Sequence, residues 1–251
     1  MTHAARKTGL ARALSKLGFC SRSKASELIR KGKVALNGKV RHDPETPVAL
    51  GADKLEVDGK PISRGESVYL VLNKPRGVVT TASDDKGRKT VYSLLAPDQP
   101  WVAPVGRLDM ASEGLLLMTN DPEWAAEILD PATHLAKTYH VQVNAVAQDR
   151  LLRMLVKTAD VQADDMRATS ARILRGGQKN TWLEIVLDEG KNRQIRRLFE
   201  QLDIEVLRLV RVAIGPLPLG ELRKGEVRRL SVAEKQSLDR EMKRSLLGRQ
   251  G

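Results

Sequence analysis

The sequence holds few of the residues that build disulfides, metal sites and stacking surfaces. Its 251 residues include one cysteine, Cys20, so no disulfide can form within the chain. The four histidines are scattered without metal-ligand spacing, and we expect no structural metal. Phe, Trp and Tyr together make up 3% of the chain, which argues against a platform that stacks several bases in a row.

Long apolar runs are also missing. No stretch approaches the roughly 18 to 20 consecutive apolar residues that cross a bilayer. The first residues, Met-Thr-His-Ala-Ala-Arg-Lys, lack the apolar centre of a signal peptide. Because 41% of the residues are hydrophobic, the chain can still bury a core sufficient for one large or two modest domains. We therefore expect a soluble, cytoplasmic protein.

Positive charge is concentrated near the N-terminus. The chain carries a formal net charge of +12. Between Arg6 and Arg41, 11 Lys or Arg residues face one acid, Glu27, whereas from Glu221 to the end 9 basic residues face 5 acidic ones. The part between is close to neutral. A dense basic patch attracts polyanions, most commonly nucleic acid, and a plain solvated Lys/Arg face is the alternative.

The basic segment has a regular pattern that argues against a disordered arm. Ser21 or Ser23 can cap a helix that continues to Ile29. Asn37-Gly38 and Asp58-Gly59 each separate two short apolar runs, and both dipeptides tolerate the positive φ of a tight hairpin. The pattern predicts two helices followed by short hairpins.

This part of the chain resembles the S4 RNA-binding domain. The resemblance rests on Leu14-Ser15-Lys16-Leu17-Gly18-Phe19-Cys20-Ser21-Arg22-Ser23-Lys24-Ala25 and on Val34-Ala35-Leu36-Asn37-Gly38. It implies an RNA-binding domain over residues 1–65. The expected RNA contacts are basic side chains along the second helix and its exit: Arg22, Lys24, Arg30, Lys31 and Lys33.

After residue 65 the apolar segments of the sequence become longer. Residues 67–72 read as a buried strand that ends before Pro75 and Gly77, and 115–118 read as another. Residues 138–143 alternate, with Tyr139 on the apolar face, and 181–187 form a further strand. From 192 to 202 apolar residues recur at helical spacing. We predict a mixed α+β domain over 66–235 and a basic C-terminal tail over 236–251.

Four motifs of this second domain occur in the same order in a known family. They are Asn73-Lys74-Pro75-Arg76-Gly77, Gly106-Arg107-Leu108-Asp109 with Ser112-Glu113-Gly114-Leu115-Leu116-Leu117-Met118-Thr119-Asn120-Asp121, Lys137-Thr138-Tyr139, and Glu189-Gly190-Lys191-Asn192-Arg193-Gln194-Ile195-Arg196-Arg197. In them the chain resembles the bacterial pseudouridine synthases of small- and large-subunit ribosomal RNA. The resemblance implies a mainly antiparallel sheet and isomerisation of a ribosomal uridine without metal or cofactor. It leaves the subunit open, with a preference for the large one.

The resemblance assigns roles by position. Asp109 matches the essential aspartate, proposed either to attack the ribose C1′ or to take a proton from C2′, and both roles need an ionised carboxylate. Lys191 matches the cation that pairs with it, and Arg107 either helps to place it or contacts RNA. Tyr139 matches the tyrosine that stacks on the flipped base, with removal of the C5 proton as its second possible role. Ile195 matches the apolar residue under the uracil and is otherwise core.

Other basic residues of the motifs are expected to support RNA binding. On the predicted helix these are Arg193, Arg196 and Arg197. Lys74 and Arg76 are expected to support an RNA-facing loop and not to react.

Two other functions account for only part of the sequence. A non-catalytic RNA-binding factor of ribosome assembly explains the charge distribution but leaves Asp109, Tyr139 and Lys191 together unexplained. A glycoside hydrolase also cleaves a bond at a sugar C1, yet that chemistry normally uses two positioned carboxylates, and only Asp109 has motif support. We predict an enzyme that acts on ribosomal RNA, as a monomer and without a membrane partner.

Overall fold

The computed structural model describes residues 7–157, 167–191 and 193–247. These residues form two compact units. The first holds the described residues up to Tyr69 together with Ala96–Ala103 and Met118–Ala125. The second holds Leu70–Leu95, Pro104–Leu117 and the described residues from Ala126 onward. The sequence predicted one boundary near residue 65 and did not anticipate the two short later segments of the first unit.

Strands and short helices make up most of the described residues. The α-helices are α1 Leu10–Lys16, α2 Arg22–Arg30, α3 Pro122–Leu129, α4 Asp149–Lys157, α5 Gln194–Glu200 and α6 Val232–Leu247. The strands are β1 Thr8–Gly9, β2 Val34–Leu36, β3 Lys39–Arg41, β4 Pro47–Val48, β5 Leu55–Val57, β6 Lys60–Ile62, β7 Tyr69–Lys74, β8 Ala103–Pro104, β9 Glu113–Thr119, β10 Lys137–Val143, β11 Ser170–Gly176, β12 Thr181–Leu187, β13 Val206–Ile214, β14 Leu217–Pro218 and β15 Val227–Arg229. Two 3-10 helices span Val91–Leu94 and Pro131–Thr133.

The first unit packs α1 and α2 with a small antiparallel sheet. Its strands lie in the order β3-β2-β5-β6, and its core includes Leu10, Leu14, Ile29 and Val34, none of which is exposed to solvent. The Ser21 hydroxyl accepts a hydrogen bond from the Lys24 amide at 3.1 Å, as an N-cap does. The predicted helix cap is therefore Ser21.

Both predicted hairpins of this unit are present. Asn37-Gly38 joins β2 to β3 with φ of 51° and 75°, and Asp58-Gly59 joins β5 to β6 with φ of 47° and 74°. Positive φ at both central residues matches the twist of the flanking strands, which is why these dipeptides favour two-residue hairpins.

The second unit is built on a mixed sheet with the strand order β11-β12-β10-β13-β9-β7-β15. The pairs β11/β12, β12/β10, β10/β13 and β7/β15 are antiparallel, and β13/β9 is parallel. At the parallel pair Gly114 has a φ of 101°, and a Cβ there would collide with the carbonyl oxygen of Arg211. Glycine at 114 therefore lets β9 approach β13. The predicted mainly antiparallel sheet is confirmed.

Three element boundaries differ from the sequence prediction. β7 runs to Lys74, so this lysine lies inside a buried strand and not in the following loop. α5 begins only at Gln194, because Arg193 is in the left-handed conformation with a φ of 51°; Asn192 lies outside the described residues. Most of the predicted C-terminal tail is helix α6, which buries Leu238 and Met242. The last four residues of that tail, 248–251, also lie outside the described residues.

Candidate active site

Asp109 lies in the wall of a cavity of about 290 Å³ in the second unit. Its loop precedes β9 and is closed by a hydrogen bond of 2.9 Å from the Ser112 amide to the Asp109 carbonyl. The Asp109 side chain is 34% exposed, so its carboxylate is accessible. Four other residues predicted for the site line the same cavity: Arg107, Tyr139, Lys191 and Ile195.

The buried side chain of Lys74 is hydrogen-bonded to the backbone of this loop. Lys74 has no exposed surface, and its Nζ donates hydrogen bonds to the carbonyl oxygens of Asp109 at 3.0 Å, Ser112 at 2.8 Å and Pro75 at 3.2 Å. Burial lowers the pKa of Lys74 to about 8, and the nearby carboxylates of Asp109 and Glu113 oppose that shift. Lys74 thus fixes the backbone on both sides of the loop and does not line the cavity.

Arg196 holds a third carbonyl of the loop. Its guanidinium donates to Ala111 O at 3.2 Å and to Val206 O at 3.3 Å. Burial, more than any neighbouring charge, lowers the pKa of Arg196. The sequence predicts Arg196 to be an RNA contact, and in the structure two of its guanidinium nitrogens donate to backbone carbonyls. Together with Lys74 it forms what we call the loop clamp, defined as Lys74 and Arg196 on the carbonyls of 109, 111 and 112.

Arg193 supplies the cation beside Asp109. One of its guanidinium nitrogens lies 3.8 Å from Oδ2 of Asp109, and another lies 3.3 Å from the carboxylate of Glu200. The Nζ of Lys191, which the sequence expected beside Asp109, lies 3.6 Å from the Glu189 carboxylate. Arg193 has a left-handed backbone just before α5 begins, and it lines the cavity. Arg193 is thus a cation beside Asp109 that the sequence did not assign to this position, and Lys191 lines the same cavity.

The apolar part of the cavity suits a planar ring. Tyr139 comes from β10 and is 7% exposed, and Ile195 comes from the first turn of α5 and is 3% exposed. Leu187 and Leu209, from the strands on either side of β10, complete this surface. A cavity lined by one aromatic ring and several aliphatic side chains suits a nucleobase that stacks on the ring.

Two buried basic residues of the cavity were not assigned a role by the sequence. Lys137 lies two positions before Tyr139 on the same face of β10, and Arg211 pairs with Tyr139 across β10 and β13. The alternation of β10 indicated the shared face of Lys137 and Tyr139. No local signal indicated Arg211, because β13 was not predicted and the register that pairs it with Tyr139 is not readable from the sequence.

Arg107 lines both the Asp109 cavity and a second cavity of about 320 Å³. The second cavity is bounded by the polar loop 79–88, where the Thr80 hydroxyl donates to the Leu108 carbonyl at 2.7 Å. This position beside Asp109 is compatible with both roles expected of Arg107, placing the carboxylate or contacting RNA.

The predicted RNA contacts of the first unit lie on its surface. All five are exposed: Arg22, Lys24, Arg30, Lys31 and Lys33. Glu27 accepts bonds from Lys24 at 2.9 Å and from Lys31 at 2.7 Å, and Lys33 lies 3.3 Å from Asp58. Helix α2 and the residues just after it thus present a dense basic surface, in which Glu27 and Asp58 are the acidic partners. In the second unit Arg193 and Arg197 are exposed.

No helix among the described residues is long and apolar enough to cross a membrane. Within the same residues no group of His, Cys, Asp and Glu is arranged to hold a metal ion.

Comparison with known proteins identifies the family. Residues 68–201 match the family model described as RNA pseudouridylate synthase, and residues 8–54 match the S4 domain. The chain belongs to the RNA pseudouridylate synthase family. The predicted enzyme class and the predicted S4 domain are both confirmed, and the comparisons favour the enzyme over a non-catalytic assembly factor.

Relatives of this pseudouridylate synthase align over most of its length. Ribosomal large subunit pseudouridine synthase B of Bacillus subtilis (strain 168) is 38% identical over 227 residues, which cover 90% of this chain and 93% of the relative. The protein of the same name from Shigella flexneri is 33% identical over 84% of this chain and 74% of the relative. A crystal structure of a pseudouridylate synthase is 26% identical and superposes with a TM-score of 0.63, covering 92% of this chain and 99% of that one.

Proposed function

We propose that this pseudouridine synthase isomerises a uridine of ribosomal RNA, with large-subunit RNA as the expected substrate, and that Asp109 is its reactive carboxylate. The observation that carries the assignment is the position of Asp109, an accessible carboxylate held by the loop clamp at the wall of a cavity lined by Tyr139 and Ile195. The names of the relatives, large-subunit pseudouridine synthases, support the choice of RNA.

The reaction exchanges one bond to the ribose C1′ for another within the same nucleotide. Asp109 acts at the sugar, either by attack on C1′ or by removal of the C2′ proton, and the N1–C1′ bond breaks. The detached uracil stays between Tyr139 and the aliphatic wall while it turns, and C5 then bonds to C1′. Arg193 has a guanidinium nitrogen 3.8 Å from Oδ2 of Asp109, so a positive charge lies beside the carboxylate that either route uses.

Binding of the RNA is assigned to both units. The exposed cations of α2 and of the residues just after it attract the phosphate backbone. In the second unit Arg193 lines the Asp109 cavity and Arg197 is exposed on α5. A base that is stacked and paired in a duplex cannot enter the cavity, so the target nucleotide has to leave its stack. We expect the protein to act as a cytoplasmic monomer.

The direct test is conversion of purified ribosomal RNA. The protein should form pseudouridine in large-subunit RNA, detected as a reverse-transcription stop after carbodiimide treatment, and cells that lack the gene should lose the same modification. Modification of small-subunit RNA alone would contradict the choice of subunit. Absence of pseudouridine from every ribosomal RNA would contradict the proposed substrate class.

The S4 unit should account for much of the salt dependence of RNA binding. Replacing Arg22, Arg30 and Lys33 by Gln in the full chain should weaken binding and reduce the slope of log K against log salt by about 0.7 to 0.9 for each lost phosphate contact. The matched control replaces three exposed cations of α6, Arg240, Lys243 and Arg244, by Gln. Equal effects of the two triple variants would show that net charge, and not the S4 surface, governs binding.

A further inference from the structure

Lys137 lines the Asp109 cavity and takes no part in the steps at the sugar. It is the first residue of β10, where alternate side chains share a face, so it lies on the same face as Tyr139. It is 8% exposed and still lines the cavity together with Asp109. A buried lysine inside a substrate cavity is costly unless its surroundings use it, because burial disfavours the ammonium form.

The surroundings of Lys137 make its ammonium group easier to deprotonate than that of a lysine in water. The hydrogen bond that the structure gives its Nζ is long, 3.4 Å to the carbonyl of Asp188. Burial first, and the charge of Arg211 second, lower the pKa of Lys137 to about 8, against the opposing effect of Asp188 and Glu189. The other charged groups that line the cavity are Arg107, Asp109, Lys191, Arg193 and Arg211.

The isomerisation needs a group that removes a proton from C5. Asp109 is assigned to the sugar, and arginine side chains keep their protons at all working pH values. Lys191 is engaged by the Glu189 carboxylate. Tyr139 and Lys137 remain among the residues of this cavity, and they differ in chemistry. A neutral amine carries an available lone pair, whereas a phenol has to lose its own proton before it becomes a useful base.

We propose that Lys137 is the general base that takes the C5 proton of uracil, while Tyr139 holds the ring by stacking. This inference rests on the proposed function. When C5 bonds to C1′, the ring becomes a neutral adduct with a C6=N1 double bond and a hydrogen still on C5. The Nζ lone pair takes that proton, and the C5–H electron pair forms the C5=C6 bond. The C6=N1 pair moves to N1, which takes one proton from water, so the count of protons balances.

The test compares full-length Lys137→Arg, Lys137→Met and Tyr139→Phe, with Lys179→Arg at an exposed turn as the matched control. The substrate is ribosomal RNA carrying hydrogen or deuterium at C5 of uridine. Each variant is measured for RNA affinity, thermal unfolding and single-turnover conversion. Lys137→Arg keeps the charge and most of the length but cannot act as a base, so it separates proton transfer from folding.

Both Lys137 variants should bind RNA like the wild type and convert it about 100-fold more slowly or worse, the range expected for loss of a general base. Deuterium at C5 should slow Lys137→Arg more than it slows the wild type. The wild-type rate should rise with pH and level off above about pH 8, where the Lys137 amine is mostly neutral. Lys179→Arg should match the wild type.

Three results would overturn the inference while the proposed function stands. One is a Lys137→Arg rate within a few-fold of the wild type. Another is an unchanged C5 deuterium effect in Lys137→Arg. The last is a larger deuterium effect confined to Tyr139→Phe, which would make Tyr139 the base. Failure of the wild type to modify ribosomal RNA would instead refute the proposed function itself.

Discussion

Asp109→Asn should abolish pseudouridine formation while the protein still folds and binds RNA. Asparagine has the same shape but cannot attack C1′ or accept a proton from C2′, so either route stops at its first step. Removal of a reactive side chain typically lowers the rate by about 10⁴-fold or more. The measurement is single-turnover conversion of ribosomal RNA, with RNA affinity and thermal unfolding recorded on the same preparation.

The matched control for this change is Asp98→Asn, which removes one exposed carboxylate outside the cavity. It should keep wild-type activity, because a neutral change at the surface affects stability and function little. RNA affinity of Asp109→Asn should equal or exceed that of the wild type, since Arg193 loses its acidic neighbour. Full activity of Asp109→Asn would contradict the assignment of the reactive group.

The elements that the sequence predicted well are those with a strong local signal. Asn37-Gly38 and Asp58-Gly59 impose positive φ, and that requirement holds whatever the rest of the chain does. The strict alternation of β10 also placed Tyr139 correctly on the buried face. A run of apolar residues at 115–118 was enough to predict β9, whose residues are all buried.

The contacts that shape the candidate site could not be predicted, because they join distant parts of the chain. Lys74 was read as a loop residue next to Pro75, although its hydrogen-bond acceptors, Asp109 and Ser112, lie 35 and 38 positions away. The sequence predicts Arg196 to be an RNA contact, and it gives no sign of the hydrogen bond to Ala111, which is 85 positions away. A cationic side chain gives no sequence signal that distinguishes a phosphate from a buried carbonyl as its acceptor.

The presence of Arg193 beside Asp109 also could not be predicted, although Arg193 and Lys191 are close in the sequence. The two residues are two positions apart in one motif, and the sequence favoured Lys191 by resemblance alone. The structure adds Arg193, which precedes α5 in a left-handed conformation and has a guanidinium nitrogen 3.8 Å from Oδ2 of Asp109. The residue types alone do not indicate that Arg193 lies beside the carboxylate.

Lys74→Met should produce the second-largest loss among these variants. Methionine fills much of the same space but leaves the buried carbonyls of Asp109 and Ser112 without the Nζ donor. An unsatisfied buried polar group costs about 1 to 3 kcal/mol, so we expect the free energy of unfolding to fall by about 3 kcal/mol. Because displacement of a reactive group by about 1 Å can cost about 100-fold in rate, kcat should fall by at least that factor.

The split between kcat and RNA affinity tests whether Lys74 and Arg196 position Asp109 or only stabilise the fold. Measured below its melting transition, Lys74→Met should lose kcat and keep the RNA dissociation constant. Arg196→Met should do the same, and Arg196→Lys, which can still donate to one carbonyl, should recover part of the rate. Since both side chains hold the same loop, their effects on stability should be non-additive, with an interaction energy of about 0.5 to 3 kcal/mol in a double-mutant cycle.

Arg197→Gln provides the contrast, because Arg197 is exposed one position along the same helix. It should weaken RNA binding and lower the salt slope by about 0.7 to 0.9 with kcat unchanged. Should Arg196→Met behave in that way instead, Arg196 would be an RNA contact in solution, and the clamp would reduce to Lys74. Should Lys74→Met keep its kcat despite lower stability, the carbonyls of the loop would not control the position of Asp109. Loss of kcat in both clamp variants at constant affinity is the result that the geometry requires.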